Sequence, residues 1–459
     1  MKFIDHFDVF LREEVNLNQT RIDRLAQSVG AIEEVLSNHS TFKNIYVDLI
    51  PAGSWAHGSV IRPVRESDEF DADILLYIKE CNGWKPRDYL EKLWSVLSSN
   101  DRYRDKVEPM TRCMRINYNC DFHIDIVPYF ERYGIHYITN RREPDRLGRL
   151  EESDPETFTA WIQERQRLTN ENFIKVVRLV KYLRDFKDTF QCKSIILMTL
   201  LGNQVDESEA RYHPELYSDI PSTLVTLMSK LANTLPTDMP DVMDPACTGE
   251  NFTERYREKW NYSNFRKCII NYAQRMLTAY EEENRDISVK EWRSIFGDKF
   301  KPDTLAKKVQ SFLLRESAPS EQFIEKHPYN FTIRVDPRFR TRITARVTGL
   351  ATDGGVKYAS FRQFELPKRG NLVPKNRSLQ FAVTTNIPKP YTVYWKVRNS
   401  GVEAERAQEL RGDIQEDEGF NRKTETSAYT GRHYVECYIV KNDTVIAWDR
   451  QNVIVLNKR

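Results

Sequence analysis

Asp71 and Asp73 stand two residues apart in "FDADILLYI", residues 70–78. In an extended strand that spacing puts both carboxylates on one face, about 7 Å apart. Phe70, Ala72 and Ile74 then face the other way, where a core belongs. Two carboxylates so placed offer oxygen ligands to a hard divalent cation such as Mg²⁺, the usual companion of nucleotide phosphates. Just upstream, "AGSWAHGS" carries Gly53 and Ser54. Small residues there permit close backbone approach and turn N–H groups toward phosphate oxygens at the start of a helix. The order predicts a loop that holds a triphosphate, then a strand that holds the metal bridging it.

A two-metal site wants a third carboxylate from another strand. "CDFHIDIVPYF" offers Asp121 and Asp125, with His123 between them. The two acids would lie about 13 Å apart along a strand, too far to share one cluster. Asp125 sits between Ile124 and Ile126 in a regular strand, whereas Asp121 borders the preceding turn. Asp125 is the residue chosen. A lone Asp-x-Asp is more often a solvated strand face, and a Gly-Ser pair more often a plain turn. The ordered combination carries the signal. His57, His123 and Arg62 lie close in sequence, but a histidine beside such a site is more often hydrogen-bonded structure than a base. None of the three is assigned a catalytic role.

The elements that must position these groups are legible in outline. Ile22, Leu25, Val29, Ile32 and Leu36 recur at helical spacing, so residues 17–38 are expected as a helix. "IYVDLIP" (45–51) and "DADILLYI" (71–78) read as strands, and "RCMRINY" (112–118) with "FHIDIVPYF" (122–130) as a hairpin. From about 155 to 315 the pattern turns helical, closing with "PDTLAKKVQSFLLRES" (302–317). "ESAPSEQ" (316–322) reads as a linker. Beyond it, short alternating segments rich in Val, Ile, Thr and aromatics, separated by Gly, Asn, Pro and Asp, mark a small β-sandwich or barrel. The expected divisions are 1–155, a helical lobe over 156–317, a linker over 318–329 and a β-rich domain over 330–459.

Bulk composition fits this plan. The 459 residues suffice for two or three domains, and 40% hydrophobic with 30% charged residues is ordinary for a soluble globular protein. No apolar run approaches the roughly 18–20 residues that span a bilayer, and acids interrupt the apolar N-terminus, so no signal peptide is expected. The seven cysteines are scattered, without zinc-like spacing. A reduced, cytoplasmic protein is the expectation. A net charge of +2 argues against a general polyanion-coating role but permits local basic patches.

The run "AGSWAHGS…FDADILL…FHIDIVP" resembles the polymerase-β-type nucleotidyltransferases, specifically the bacterial second-messenger oligonucleotide or dinucleotide synthetases (the cGAS/DncV-like group), over roughly residues 10–315. The resemblance implies an α/β (α+β) fold: a polymerase-β-like lobe plus a helical lobe, followed here by a β-sandwich-like domain. It implies that Gly53 and Ser54 cradle the donor triphosphate, and that Asp71, Asp73 and Asp125 hold two Mg²⁺ (or Mn²⁺) ions. It further implies that Lys181 in "LVKYLRDF" and Ser194 in "CKSIILM" contact the triphosphate. Pro51-Ala52 before Gly53, where many relatives have a glutamine, and the long connection over 55–70 are departures. They lead us to expect a different acceptor side of the pocket.

"YTVYWKVRNSGVEAERAQELRGDIQ" with "YTGRHYVECYIV" resembles the C-terminal sensor domain fused to adenylyl/guanylyl cyclases and to these synthetases. The matching positions are Trp395, Asn399, Gly401, Ala404, Arg411, Gly412, Gly431 and His433. The resemblance implies a nucleotide or oligonucleotide ligand, with Arg411 able to pair a phosphate and Trp395 to stack a base, although a tryptophan in an alternating strand is more often core and an Arg-Gly pair is often merely a turn. The function expected is the joining of nucleoside triphosphates into a cyclic oligonucleotide signal for bacterial anti-phage defence, read by a separate effector protein, with no membrane partner. Linear oligonucleotide or short single-stranded DNA synthesis uses the same chemistry. A catalytically silent nucleotide sensor and a sensor switched on by duplex binding are weaker readings. The intact acid triad counts against the first, and the missing zinc cluster and near-neutral charge weaken the second.

Overall fold

The computed structural model describes residues 1–65, 69–118, 122–141, 148–300, 321–352, 355–357 and 363–456. The chain divides into two compact units, Met1–Ile22 with Ile32–Val309, and Asp23–Ala31 with Gln310–Arg459. The helix expected over 302–317, residues 316–320 of the expected linker, and Asp121 lie outside the described residues.

Along the chain to Glu152 the order is α1 (Ile4–Phe10), α2 (Gln19–Asn38), β1 (Tyr46–Ala52), α3 (Gly53–His57), β2 (Phe70–Ile78), α4 (Pro86–Ser99), β3 (Val107–Pro109), β4 (Met114–Tyr118), β5 (Phe122–Arg132), β6 (Ile135–Asn140) and β7 (Arg149–Glu152). Helices follow: α5 (Pro155–Leu168), α6 (Phe173–Lys187), α7 (Ser194–Gly202), α8 (Glu207–Tyr212), α9 (Ile220–Thr234), α10 (Tyr262–Glu281) and α11 (Arg285–Phe296). Local chemistry sets these boundaries. The Asn18 side chain accepts from the Arg21 N–H at 2.9 Å and caps α2. Its stripe of Leu25, Val29, Ile32 and Leu36 is buried. At α4, Pro86 opens the first turn and the Asp88 carboxylate accepts from the Lys85 N–H at 2.8 Å.

Among the described residues the strands of this unit form one sheet in the order β1-β2-β5-β4-β3, with β6 joining β5 and β7 joining β6. β2 alternates as its sequence demands. Phe70, Ala72 and Ile74 are buried, Asp71 is exposed and Asp73 half-buried. The helices bury a separate apolar core that includes Val177, Val180, Leu197, Leu224, Phe265 and Trp292. Phe7 of α1 meets Trp292 edge-on at 4.9 Å between ring centroids. No described helix is long and apolar enough to cross a membrane.

The second unit is strand-rich: β8 (Thr332–Ile333), β9 (Thr341–Thr352), β10 (Gly355–Lys357), β11 (Phe364–Glu365), β12 (Leu372–Pro374), β13 (Arg377–Thr385), β14 (Thr392–Arg398), β15 (Arg411–Glu416), β16 (Arg422–Thr426), β17 (Gly431–Lys441) and β18 (Thr444–Leu456), with a short helix α12 (Val402–Arg406). Among the described residues they build two sheets. One runs β10-β9-β13-β16 with β11 beside β9; the other runs β12-β18-β17-β14-β15 with β8 beside β18. Val347, Phe381, Trp395, Val397, Val435, Cys437 and Ile439 belong to a common core, which is sandwich packing.

That core corrects one sequence expectation. Trp395 is only 2% exposed and its indole N–H is donated to Asp417 at 2.8 Å, so it is a core residue and no stacking platform. Several other matched positions serve the fold too. A Cβ on Gly431 would lie 2.2 Å from the Ser400 carbonyl oxygen, and one on Gly401 2.8 Å from that of Thr430. The loop after β14 and the start of β17 therefore touch backbone to backbone, which only glycine permits. His433 ties the same crossing: one ring nitrogen lies 2.8 Å from the Tyr429 carbonyl, and the other accepts from the Ser400 N–H at 3.3 Å.

Candidate active site

Strand register assembles the acids. β2 and β5 run parallel, with Asp73 beside Asp125 and Asp71 beside His123. β4 lies antiparallel on the far side of β5 and brings Arg115 opposite Asp125 and Asn117 opposite His123. Side chains of neighbouring paired residues share a face, so three strands present two adjoining rows. β1 ends with Ala52 paired to Asp73, which places the turn into α3 directly over the acidic row.

Gly53 is the first residue of that turn, with φ of +53°. A Cβ built on it would lie 2.1 Å from Asp73 Oδ2. The Gly-Ser turn and the strand carboxylate are thus in van der Waals contact, and only glycine allows it. Helix α6 then holds the loop down. Lys181 Nζ donates to the Ser59 carbonyl at 2.9 Å, Arg178 Nε donates to the Gly58 carbonyl at 2.7 Å, and Arg178 Nη1 to Asn16 Oδ1 at 2.9 Å. Residues 178 and 181 share a helix face, which is why one helix delivers both cations.

The electrostatics follow from this crowding. Burial, then the charges of Asp71 and Asp125, push the Asp73 carboxyl up from 3.8 to about 7, with Arg115 and Lys181 opposing. Arg115 forms a two-pronged pair with Asp125, Nε to Oδ1 and Nη2 to Oδ2, both at 2.8 Å. That bond raises the guanidinium's own affinity for its proton. Lys181 is buried, and its ammonium is lowered to about 8 by burial and then by Arg184, while Asp71 works the other way. His57 falls to about 3 through burial and the neighbouring Lys181. Its Nδ1 has no hydrogen-bond partner and its ring rests on Phe158 at 5.3 Å between centroids. It is neutral and enclosed, a poor general base.

The donor set fits a hard divalent cation. Asp71, Asp73 and Asp125 are all oxygen donors, and a cation beside Asp73, which is raised first by burial and then by the charges of Asp71 and Asp125, would favour its carboxylate form. Among the described residues, no three His, Cys, Asp or Glu side chains close on one point at metal-ligand spacing. Asp125 instead spends both oxygens on Arg115. A pH dependence follows. Between about 4 and about 7 the folded chain keeps a proton on Asp73 that the unfolded chain has lost, so this group's contribution to stability falls as pH rises through that window. Mg²⁺ should therefore raise the melting temperature more at pH 8 than at pH 5.5. Arg115→Gln, which removes a compensating cation, should widen that difference. Melting curves in EDTA and in Mg²⁺ at the two pH values check both; an Mg²⁺ effect independent of pH would contradict the cluster.

Of the residues named from sequence, Gly53, Asp71, Asp73 and Asp125 come together, and Ser54 opens α3 beside them. Lys181 reaches the loop rather than standing free. Ser194 begins α7, its Oγ 3.2 Å from Arg184 Nη1. Arg184 also donates to Asp185 at 2.6 Å and to the Cys192 carbonyl at 2.8 Å. Arg62 donates to the Glu13 carbonyl, and His123 lies 3.6 Å from Glu69. Sequence reasoning missed Arg115, Arg178 and Arg184. For Arg178 and Arg184 the signal was present, since they flank Lys181 at three-residue steps.

Residues 1–166 match the family described as the Second Messenger Oligonucleotide or Dinucleotide Synthetase domain. Residues 319–456 match the Adenylyl/Guanylyl and SMODS C-terminal sensor domain. The chain is a nucleotidyltransferase, similar to this synthetase family over its first 166 residues. Among curated proteins, a c-di-GMP synthase from Roseivirga ehrenbergii is 26% identical to this chain over 296 residues, covering 57% of this chain and 75% of the relative. A cytidylate cyclase from Staphylococcus aureus is 31% identical over 90 residues, covering 19% of this chain and 21% of the cyclase. Among solved structures, CdnG of Bradyrhizobium diazoefficiens in complex with GTP superposes with a TM-score of 0.51 at 17% identity, over 68% of this chain and 97% of the other. The 3'-deoxy GTP-bound form of DncV from Vibrio cholerae gives 0.50 at 17% identity, over 65% and 96%. These two likenesses show the fold alone, over about two thirds of this chain.

Proposed function

We propose that this synthetase joins nucleoside triphosphates into a cyclic oligonucleotide second messenger at the Asp71–Asp73–Asp125 site. The observation that carries the reading is the contact between Gly53 and Asp73, which unites a phosphate-binding turn with a metal-binding carboxylate. The proposed role of Gly53 and Ser54 is to aim backbone N–H groups at the donor triphosphate. Lys181 and Arg178 keep that loop over the acids, and Lys181 adds positive charge beside Asp71. Ser194 and Arg184 stand as the candidate contacts for the triphosphate tail.

Divalent metal bound at these acids would neutralise charge on the phosphates and lower the pKa of the acceptor hydroxyl. An acceptor ribose hydroxyl oxygen bonds to the donor α-phosphorus as the bond to the pyrophosphate leaving group breaks, and the hydroxyl's proton passes to solvent water. A second transfer within the linear intermediate closes the ring. Asp125 must part from Arg115 or share it before it can serve as a ligand. The effector that reads the product, and the defence role the resemblance implies, belong to the same proposal. So does nucleotide sensing by the C-terminal unit.

Pyrophosphate release from mixed nucleoside triphosphates tests the reading. It should require Mg²⁺ or Mn²⁺ and stop with EDTA. Release undiminished in EDTA would remove the metal from the account.

A further inference from the structure

Beyond Asp125 the acidic face of the sheet runs on. Asp125, Val127 and Tyr129 alternate onto it along β5, Tyr129 pairs with Ile138 of β6, and Ile138 pairs with Glu151 of β7. Paired residues share a face, so Glu151 stands on the face that carries the acids, two strands out from Tyr129. The loop between α9 and α10 lies over this stretch. Its Thr248, Glu250 and Arg255, with Arg149 and Glu151 of the sheet, line a cavity of about 260 Å³.

One carboxylate gathers this wall. Glu151 Oε1 accepts from Arg149 Nε at 2.9 Å and Nη2 at 2.7 Å, and from Asn140 Nδ2 at 2.8 Å. Beside the other oxygen stand Arg112 Nη2 at 2.5 Å and Arg255 Nη2 at 3.6 Å, and Arg255 reaches on to Glu250 Oε1 at 2.8 Å. The Glu151 side chain is 12% exposed. Three guanidiniums from three stretches of chain lean on it: Arg112 ahead of β4, Arg149 in β7 and Arg255 in the loop. Removing its charge would leave like charges crowded where water screens them poorly. These groups are committed to one another, so the cluster holds elements together and reads no ligand.

In-line chemistry says what this serves. Attacking and leaving oxygens lie on opposite sides of the phosphorus. The Gly53 turn comes off β1 over Asp73, so pyrophosphate leaves on the β1–β2 flank and the acceptor hydroxyl arrives on the β5 flank. There β6 and β7 extend the sheet from β5. We propose that Glu151 is a positioning residue for the acceptor nucleotide: by pinning the 248–255 loop it fixes the wall of the site on the side from which the hydroxyl attacks. The inference rests on the catalytic reading and extends it to a residue outside the acid cluster and the triphosphate contacts.

Donor-only substrates separate this role from plain structure. A 2',3'-dideoxynucleoside triphosphate has no ribose hydroxyl to attack with, and its affinity, read by calorimetry with Mg²⁺, reports the donor side, where metal and triphosphate contacts lie. In Glu151→Gln, pyrophosphate release from the four nucleoside triphosphates should show a KM raised tenfold or more, with kcat within threefold of the unaltered chain. Dideoxy triphosphates should bind within twofold of their normal affinity, and hydrogen exchange over residues 248–255 should quicken at least fivefold. Should Glu151→Gln fail to fold, Arg255→Gln, which cuts only the loop's end of the cluster, should give the same split at threefold or more. An unaltered KM, a dideoxy affinity that falls in step with KM, a kcat lost along with it, or unchanged exchange would each overturn the proposal. If the unaltered chain releases pyrophosphate from no triphosphate, the catalytic reading falls and this proposal with it, so the two failures are told apart.

Discussion

Replacing Asp71 and Asp73 together with asparagine will cut pyrophosphate release by about a thousandfold or more, without unfolding the chain. Metal-bound charge stabilisation is worth several kcal/mol, and about 1.4 kcal/mol is a factor of ten in rate. The fold should survive because the pair lies on the open face of β2, with Phe70, Ala72 and Ile74 packing the other side. Removing two like charges also relieves the crowding that raises Asp73. The metal-free double variant should therefore melt no lower than the unaltered chain at pH 8, and Mg²⁺ should no longer shift it. Steady-state release and melting curves read both effects. A double variant that retains activity would place the chemistry elsewhere.

Gly53→Ala should be nearly as damaging, although it touches no charge. The new methyl would sit 2.1 Å from Asp73 Oδ2, so the carboxylate or the turn must move by more than 1 Å. A displacement of that size at a reacting centre costs about a hundredfold. The left-handed φ of +53° adds a stability cost of roughly 1–2 kcal/mol for any side chain. Ser54→Ala is the contrast: it keeps the backbone N–H and the φ, and should lose far less. Comparing kcat for the two variants, with far-UV circular dichroism as a check on folding, separates geometry from collapse. Equal activity of Gly53→Ala and the unaltered chain would show that the turn does not position Asp73.

The acidic row was legible because a strand has a period of two and the apolar neighbours of Asp71, Asp73 and Asp125 declare which face is inside. Pairing was not. That Asp73 lies beside Asp125, and that Arg115 meets Asp125, depends on the parallel β2–β5 register and the β4–β5 hairpin together. No local spacing encodes a three-strand register. Lys181 shows the same limit in a helix, since its position on α6 was readable but its bond to the Ser59 carbonyl comes from a loop far away in sequence. Helix α4 was overlooked although Pro86, Asp88 and the Leu90, Leu93 and Val96 spacing announce it. Trp395 stayed open between core and ligand contact, because an aromatic in an alternating strand looks alike from either face. Only the sandwich partner and Asp417 reveal that it points inward.

Mass spectrometry of the products formed from ATP, GTP, CTP and UTP with Mg²⁺, before and after phosphatase treatment, tests the central claim most directly. The account predicts a cyclic oligonucleotide whose mass is unchanged by phosphatase and which is absent from the Asp71→Asn, Asp73→Asn double variant. Linear products that lose terminal phosphates to the phosphatase, with no resistant species beside them, would contradict it.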